Sequence, residues 1–462
     1  MLIDSQTAAA CPARLRSSID DGSSRGVFCS VSIKEEMTMR KTFKPLPLVL
    51  ALGAALVAPG VWADGLEYHG YVRAQAGGTS DGGNLQCFKE NGALAKYRLG
   101  NECDNYSEHS IALPFGDTNG VWYKYKMTLA VQNQGKQDAE STNGNAMNWL
   151  HRENYFSAGG FFGRGALENA SLWVGQRFYN RHDVHMNDYY YWTNNGTGAG
   201  IEEIQAGPVK LAFAYLQNGG NANGANDVVN KRYSARFYDI DVNPGGKFEG
   251  EFVHLMDSTA ASGVNKGSGD MLFLQHTQGG ILGGFNKLAL VVGRDQGGAG
   301  FEWLPTYAGA GQQKDAKAWR IHEQLSVNFP GTGWSGTATA HYGKSEQPNN
   351  TGWSGDRTWT WMSFGVRPVY NFTKNFSLAA ELGHDEAKTP WGADAGKASK
   401  LDKLTIAPQL ALSEGVWARP VLRAFVTYAH WNDVARNYGI ANGVFGTKNS
   451  GTTFGVQAEA WW

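Results

Sequence analysis

The chain lacks long apolar runs and any large excess of one charge. No stretch after the N-terminal region approaches the roughly 20 apolar residues that a membrane-spanning helix needs, and the mean hydropathy of −0.39 is too polar for a helical membrane protein. The net charge is −1 and no basic cluster occurs, which argues against a nucleic-acid partner. Proline and cysteine are scarce, whereas glycine and aromatic residues are abundant. This combination is typical of a transmembrane β-barrel, in which only the outer face meets lipid.

The N-terminal region has the pattern of a secretory signal peptide. In residues 37–63, three cations precede an apolar run, and small residues precede a predicted cut before Asp64. This segment is too short to be a membrane anchor. The polar residues 1–36 precede it, so we expect translation to start at Met37 or Met39 and residues 1–36 to be a non-native extension; an unusually long leader is the alternative. We therefore expect one barrel domain over residues 64–462.

Two cysteines, Cys87 and Cys103, remain in the expected mature chain. A lone pair in an exported protein predicts a disulfide. Closing a loop of about 15 residues contributes on the order of 3 kcal/mol. Since no CxxC spacing is present, a structural staple of one external loop is favoured over a redox role.

Strict alternation of polar and apolar residues predicts strands with one wet and one dry face. It is clearest at the two ends, 66–75 and 453–462, where Tyr71 and Trp461 fall among the charged and amide side chains. Similar alternation occurs in 122–132, 208–216, 285–292 and 417–428, and the turn-rich stretches 218–227, 295–311 and 343–355 suit external loops. At roughly 20–25 residues per strand and connection, the chain can form about 16 to 20 strands, and a barrel of 16–18 strands leaves an aqueous channel.

Four segments place an aromatic ring beside an ion on the wet face. They are Tyr71 with Arg73, Phe285 with Lys287, Trp417 with Arg419, and Trp461 with Glu459. Interfacial aromatics of a membrane protein belong on the lipid face, as Tyr68 and Trp462 do. The C–H face of a pyranose can lie on an aromatic ring, while its hydroxyls need the hydrogen bonds that ions supply. The pattern therefore predicts a sugar-conducting pore.

The stretch 177–192, RFYNRHDVHMNDYYYW, has the highest density of charged and aromatic residues. A metal site is disfavoured because His182 and His185 are not at i, i+4 spacing and no Cys or Glu completes a ligand set. A catalytic triad is disfavoured because no serine has a nucleophile context. A loop folded inward to narrow the pore explains the composition best.

These residues resemble the maltoporin (sugar-specific porin) family. The similar segments are HGYVRAQAG, GALAKYRLGNEC, GQRFYNRHDVHMNDYYYW with GTGAG, VNPGG, HTQGGILGGFNK, VRPVY, VWARPVLRAFVTYAHW and the terminal AEAWW. They extend from the mature start to the last residue, with dissimilar loops between them. The resemblance implies an all-β fold, an 18-stranded antiparallel transmembrane β-barrel with long external loops, one of them folded into the pore.

The resemblance also implies a function and a location. It implies facilitated diffusion of maltose and maltodextrins by a homotrimer among the lipids of the Gram-negative outer membrane, with no cofactor and no enzymatic activity. Some members also serve as phage receptors, so a phage is a candidate partner.

The resemblance assigns roles to individual residues. The family's aromatic slide corresponds to Tyr71, Tyr106, Phe285, Trp417 and Trp461, and its constriction tyrosine to Tyr190. Its polar tracks correspond to Arg73, Arg98, Glu108, Arg152, Arg181, Asp183, His185 and Asp188, and its first-loop disulfide to Cys87 and Cys103.

Two departures from the family bear on sugar preference. The family has a tryptophan contributed by a neighbouring subunit, whereas the corresponding segment here, VQNQGKQDAE, has no aromatic residue; Trp149 is a candidate substitute. Thr193 stands where the family has an acidic residue. A channel for another oligosaccharide, such as sucrose or a β-glucoside, and a general diffusion porin are therefore alternatives. An outer-membrane lipase or protease is the catalytic alternative, but it needs an identifiable nucleophile.

Overall fold

The alternating segments form antiparallel β-strands. The structure, a computed structural model, describes residues 65–116, 119–134, 147–219, 229–259, 265–299, 314–348 and 357–462. The expected extension 1–36 and signal peptide 37–63 lie outside the described residues. Within those residues, no helix is both long and apolar enough to span a membrane.

Eighteen strands form one sheet. They are β1 Glu67–Thr79, β2 Asp104–Gly116, β3 Trp122–Gln134, β4 Met147–Gly159, β5 Ser171–Arg177, β6 Gly196–Ala206, β7 Val209–Asn218, β8 Asn230–Asn243, β9 Gly246–Leu255, β10 Gly269–Ile281, β11 Gly284–Asp295, β12 Lys317–Phe329, β13 Trp334–Glu346, β14 Thr358–Asn371, β15 Phe376–Lys388, β16 Ala398–Ala411, β17 Val421–Trp431 and β18 Ser450–Trp461. Each strand pairs with its neighbours in sequence, and β18 pairs with β1. The sheet is therefore a closed 18-stranded antiparallel barrel, as predicted.

Smaller elements lie in the connections. The described ones are a strand pair His182–Val184 and Tyr189–Trp192 with the 3-10 turn His185–Asn187 between them, a strand pair Ser258–Thr259 and Asn265–Lys266, the short helices α1 Gln296–Ala299 and α2 Asp433–Asn437, and the 3-10 segment Ile440–Gly443. The first of these pairs lies in the connection between β5 and β6. Because it packs inside the barrel, this connection is the predicted inward-folded loop, and residues 178–195 are called the pore loop below.

The two faces of the sheet differ in chemistry. The outer face of the middle strands is apolar, as in the registered row Val366, Leu382 and Leu404, whose side chains are exposed. The inner face carries buried polar side chains such as Thr427 and Gln457. This is the alternation expected of a barrel in lipid, where closure leaves no unpaired strand edge.

The interior of the barrel is packed by two connections. Apolar side chains of the pore loop, among them Met186 and Trp192, form one cluster with inner-wall residues such as Phe273. The connection between β1 and β2 also enters the barrel: Tyr97 lies against Gly365 and Gly383, where an added Cβ would clash with its ring. The described core therefore lies inside the barrel, not between packed layers.

The predicted disulfide between Cys87 and Cys103 is confirmed. It closes the connection between β1 and β2, and the chain that it closes is anchored to the inner wall. Tyr97 and Ser363 share a hydrogen bond of 2.9 Å between their hydroxyls, and the Leu99 amide donates to Glu381 at 3.0 Å. The staple therefore holds a connection that folds into the barrel.

Two sequence-based boundaries are wrong. The strand expected from Trp417 begins only at Val421, because Pro420 has no N–H to donate to a ladder and Gly415 adopts a φ of +103° in the preceding turn. The loop expected from residue 343 begins only after β13 ends at Glu346. At Trp417 the polarity pattern is correct for the face but not for the start of the strand.

The lipid-facing assignment predicts the effect of a charge on the outer face. Leu382, at the middle of β15, is 52% exposed. Leu382→Arg is expected to cost roughly 2–4 kcal/mol of folding free energy in a bilayer, because a charge there faces hydrocarbon. Urea titration of the barrel refolded into lipid vesicles measures this, with Leu382→Ile as the matched control. Equal stability of the two variants would mean that this face does not meet lipid.

Candidate solute-binding pore

The pore loop is held to the inner wall by many polar contacts. Asn180, Trp192 and Asn194 of the loop donate hydrogen bonds of 2.5, 2.5 and 2.6 Å to the Glu251 carboxylate on β9. Arg320 on β12 donates to the Tyr189 hydroxyl at 2.9 Å. These contacts place the loop across the bore, so the wall does not line the whole channel.

Further anchors hold the middle of the loop. The Asn187 amide lies 2.9 Å from Nε2 of His341 on β13. Arg367 on β14 donates to the Met186 carbonyl at 3.0 Å, and the Arg98 amide donates to the same carbonyl at 3.2 Å. The loop is therefore fixed at its ends and at its tip.

The five predicted slide residues lie in one row. Tyr106 on β2 is 6.0 Å from Tyr71 on β1, measured between ring centroids. Tyr71 is the register partner of Trp461 on β18. At the other end, Trp417 and Phe285 stack at 6.3 Å with an interplanar angle of 25°.

Trp417 reaches the row although it lies in a turn. Its indole Nε1 donates to Ser326 Oγ on β12 at 2.9 Å, which fixes the ring against Phe285. Its side chain is 37% exposed, the same fraction as that of Trp461. The turn between β16 and β17 thus supplies the ring that the strand was expected to supply.

His185 fills the gap between Trp461 and Trp417. Its ring lies 5.3 Å from Trp461, edge-on, and 5.7 Å from Trp417. Arg98 lies 3.0 Å from Nδ1 and Arg419 lies 3.2 Å from Nε2. The sequence placed His185 in a polar track, and the structure places its ring in the aromatic row.

The ions closest to the row are mostly paired and buried. Glu459 forms salt bridges with Arg98 at 3.2 Å and with Arg419 at 2.7 Å, and Tyr71 donates to Glu459 at 3.0 Å. The Arg419 guanidinium also lies over the Trp461 ring, 4.2 Å from its centroid. These charges hold the rings in place from behind.

A second ionic group joins the β1–β2 connection to the row. Arg73 pairs with Asp104 at 2.9 Å and with Asp188 of the pore loop at 3.3 Å. Burial alone would raise the pKa of Glu102, but Lys96, Arg98 and Arg73 around it hold that pKa well below its ordinary value. The carboxylate is therefore charged at neutral pH.

Other predicted polar residues face open space. Glu108 accepts from the Tyr106 hydroxyl at 2.6 Å, and Arg152 donates to the same hydroxyl at 3.3 Å. The side chains of Arg152, Asp188 and Glu108 are 37%, 33% and 22% exposed, whereas those of Arg73 and Arg98 are 12% and 6% exposed. The predicted polar track thus divides into groups that are free to meet a solute and groups that support the rings.

Tyr190 and Arg181 form the part of the pore loop that faces the bore. The Arg181 guanidinium lies between the Phe178 and Tyr190 rings, 4.0 Å from each centroid. Burial raises the pKa of Asp183, and the nearby cation Arg181 opposes that shift. Burial lowers the pKa of His185 well below 6.5, and Arg98 shifts it in the same direction, so this ring is neutral at pH 7.

The predicted slide, constriction and polar-track residues lie in the aromatic row, among its flanking ions or in the pore loop. Sequence reasoning missed Glu251 and Ser326, which support the site without showing any pattern of their own, and it gave Phe178 no individual role although Phe178 lies in the stretch 177–192. In the part of the chain that the structure describes, no group of three or more His, Cys, Asp or Glu side chains could hold a metal ion.

Trp149 and Thr193, the two departures from the family pattern, differ in position. Trp149 is the register partner of Val131 on the outer face and is 61% exposed. Thr193 lies in the pore loop and is half-buried. Most of the segment that lacks the expected tryptophan, residues 135–140, lies outside the described residues.

Several solved outer-membrane structures are similar to the chain at low sequence identity. A BenF-like porin from Pseudomonas fluorescens Pf-5 is 10% identical, with 87% of this chain and 99% of that chain covered and a TM-score of 0.48. OccAB2 from Acinetobacter baumannii is 11% identical, with 87% and 99% covered and a TM-score of 0.47. OccK8 (OprE) from Pseudomonas aeruginosa is 11% identical, with 87% and 98% covered and a TM-score of 0.47.

A family model gives a more specific match. The model described as LamB porin matches residues 66–462, which is the whole barrel from its first strand to its last residue. The chain therefore belongs to the LamB porin family and is an outer-membrane channel.

Proposed function

We propose that this channel is selective for maltose and maltodextrins. The observation that supports it is the row of six rings from Tyr106 to Phe285, with His185 between Trp461 and Trp417. A pyranose can shed water from its C–H face onto each ring in turn. A linear glucan has the same kind of face repeated along its length, which suits a row of rings.

The hydroxyls of such a chain need partners on the side of the rings. Arg152, Glu108 and Asp188 are partly exposed beside the row and are able to donate or accept. Because each of them already has a partner of opposite charge or a phenol, its hold on any one hydroxyl is weak. Many weak equivalent sites allow a solute to advance and leave, as conduction requires.

The general diffusion porin is the alternative that this geometry disfavours. A general diffusion porin does not require rings stacked in the aqueous bore. Here the rings are held by specific contacts, such as the hydrogen bond from Trp417 to Ser326. A channel for sucrose or a β-glucoside would differ from a maltodextrin channel only in the fit of the sugar. Because Thr193 stands in place of an acidic residue, such a channel is one possible outcome of the test. Homotrimeric assembly and phage binding are further proposals that rest on family membership.

Sugar block of ion current tests the proposal directly. In a planar bilayer containing the purified channel, maltohexaose is expected to block current at concentrations far below those needed for glucose, because six glucosyl units can contact several rings at once. Sucrose and a β-linked glucan of equal length serve as comparison solutes. Tighter block by either would reassign the preference, and no block by any glucan would leave only a general pore.

Trp417 is expected to contribute to sugar binding and not to conductance. Trp417→Ala removes one stacking surface, worth roughly 0.5–1.5 kcal/mol beyond area burial, so block by maltohexaose should weaken about two- to twelvefold. Open conductance should stay equal or rise slightly. The matched control is Trp334→Ala, which removes an exposed indole from the outer face at the same end of the barrel. Equal block in wild type and Trp417→Ala would exclude Trp417 from the sugar path.

A pH titration tests the neutral state of His185. Since its folded pKa lies below its unfolded value near 6.5, the stability that it contributes is complete above that pH and is lost as the pH falls. Protonation adds a cation beside Arg98, Arg419 and Arg367, and Glu459 opposes it. Block by maltohexaose should therefore stay constant through pH 6.5 and weaken only well below it, more steeply in wild type than in His185→Gln. Parallel pH profiles would show that this ring does not respond to protons.

A further inference from the structure

We infer that Glu251 is a positioning residue that sets the width of the pore by fastening both ends of the pore loop to the barrel wall. This inference deepens the proposed function and rests on it only for the sugar readout. Glu251 lies on β9, is fully buried, and belongs neither to the aromatic row nor to its flanking ions.

One carboxylate receives four hydrogen bonds. Oε2 accepts from Asn180 Nδ2 and Trp192 Nε1, both at 2.5 Å, and Oε1 accepts from Asn194 Nδ2 at 2.6 Å and from Ser234 Oγ at 2.5 Å. Three of the donors belong to the pore loop, and Ser234 belongs to the wall. The two oxygens of a carboxylate can accept about four such bonds, so this group is saturated.

The donors come from the two ends of the same loop. Asn180 lies at its beginning and Asn194 at its end, and the backbone N–H of Asn194 donates to the Tyr179 carbonyl at 3.0 Å. The loop between them carries Arg181, Asp183, His185, Asp188 and Tyr190, which are the loop side chains of the candidate site. A displacement at Glu251 therefore releases the two ends of the loop, next to which Arg181 and Tyr190 lie, while His341 and Arg367 still hold its tip.

The surroundings of Glu251 fix its position. Arg232 on β8, which is buried, donates to Asn194 Oδ1 and to the Asn195 carbonyl, each at 2.5 Å. The Trp192 ring stacks on Phe273 of β10 at 5.0 Å. The wall strands β8, β9 and β10 thus all contact the pore loop, and Glu251 is the wall residue that binds both ends of the loop.

Removing acceptor capacity from this group should loosen the loop and leave the barrel intact. Glu251→Gln keeps the shape, but its NH₂ cannot accept, so at least one pair of buried donors loses its partner. The population of displaced loop is expected to rise about tenfold or more. The measured effects are excess noise and higher mean current in the open channel, passage of larger solutes, and faster dissociation of maltohexaose.

The control is Ser234→Ala, which removes only the wall donor to the same carboxylate. It is expected to leave noise, current and sugar dissociation close to wild type. Asn180→Ala should resemble Glu251→Gln in its effects. The effect of the double variant on noise and sugar dissociation should be smaller than the sum of the two single effects, because both changes disrupt the same hydrogen-bonded group. Glu251→Asp, which retains the charge on a shorter arm, should recover part of the wild-type behaviour.

Two results would overturn the inference. One is a folded Glu251→Gln channel with wild-type noise, current and solute limit; the other is full additivity with Asn180→Ala. If Glu251→Gln does not assemble, Trp192→Phe, which removes the Nε1 donor and keeps a ring on Phe273, decides by the same readouts. The current noise and the size limit for solutes are measured without sugar. Absence of glucan block in wild type would therefore refute the proposed selectivity without affecting this test.

Discussion

The register of the seam between β1 and β18 is the constraint on which the pore depends. In that register Tyr71 faces Trp461 and Arg73 faces Glu459, so residues from the two ends of the chain share one inner face. A shift of either strand by one residue would turn its ring toward lipid, because side chains alternate along a strand. Closure of the barrel thus does more than satisfy the backbone of the edge strands: it assembles the middle of the aromatic row.

The barrel wall alone does not make the site. The row is continuous only because the pore loop inserts His185 between Trp461 and Trp417, and because the turn before β17 brings Trp417 against Phe285. Each insertion is held by polar contacts: His185 by Arg98 of the β1–β2 connection and Arg419 of the turn before β17, and Trp417 by Ser326 of the wall. The strands fix the direction of the path, and the connections complete its surface.

The sequence predicted the faces of the strands better than the places where strands end. Alternation assigned Tyr71, Phe285 and Trp461 to the wet side, since period two follows directly from strand geometry. It also assigned Trp417 to that side, although Trp417 lies outside any strand and reaches the bore through the geometry of a turn. The sequence pattern did not indicate Glu251, because its three partners in the pore loop are 57 to 71 residues away in sequence and the path of that loop is set by tertiary packing.

The pairing of charges behind the rings explains how the pore can be highly charged and still suit a neutral solute. Glu459 is surrounded by Arg98, Arg419 and Arg423, and Glu102 by Lys96, Arg98 and Arg73. These two carboxylates lie among five cations, so the charges behind the rings are paired but not neutralised, and the Arg419 guanidinium can stabilise the π face of Trp461. The partly exposed ions, Arg152, Glu108 and Asp188, are then the ones free to exchange water for hydroxyls. A path of this kind suits the proposed solute, a chain with repeated apolar faces and polar edges.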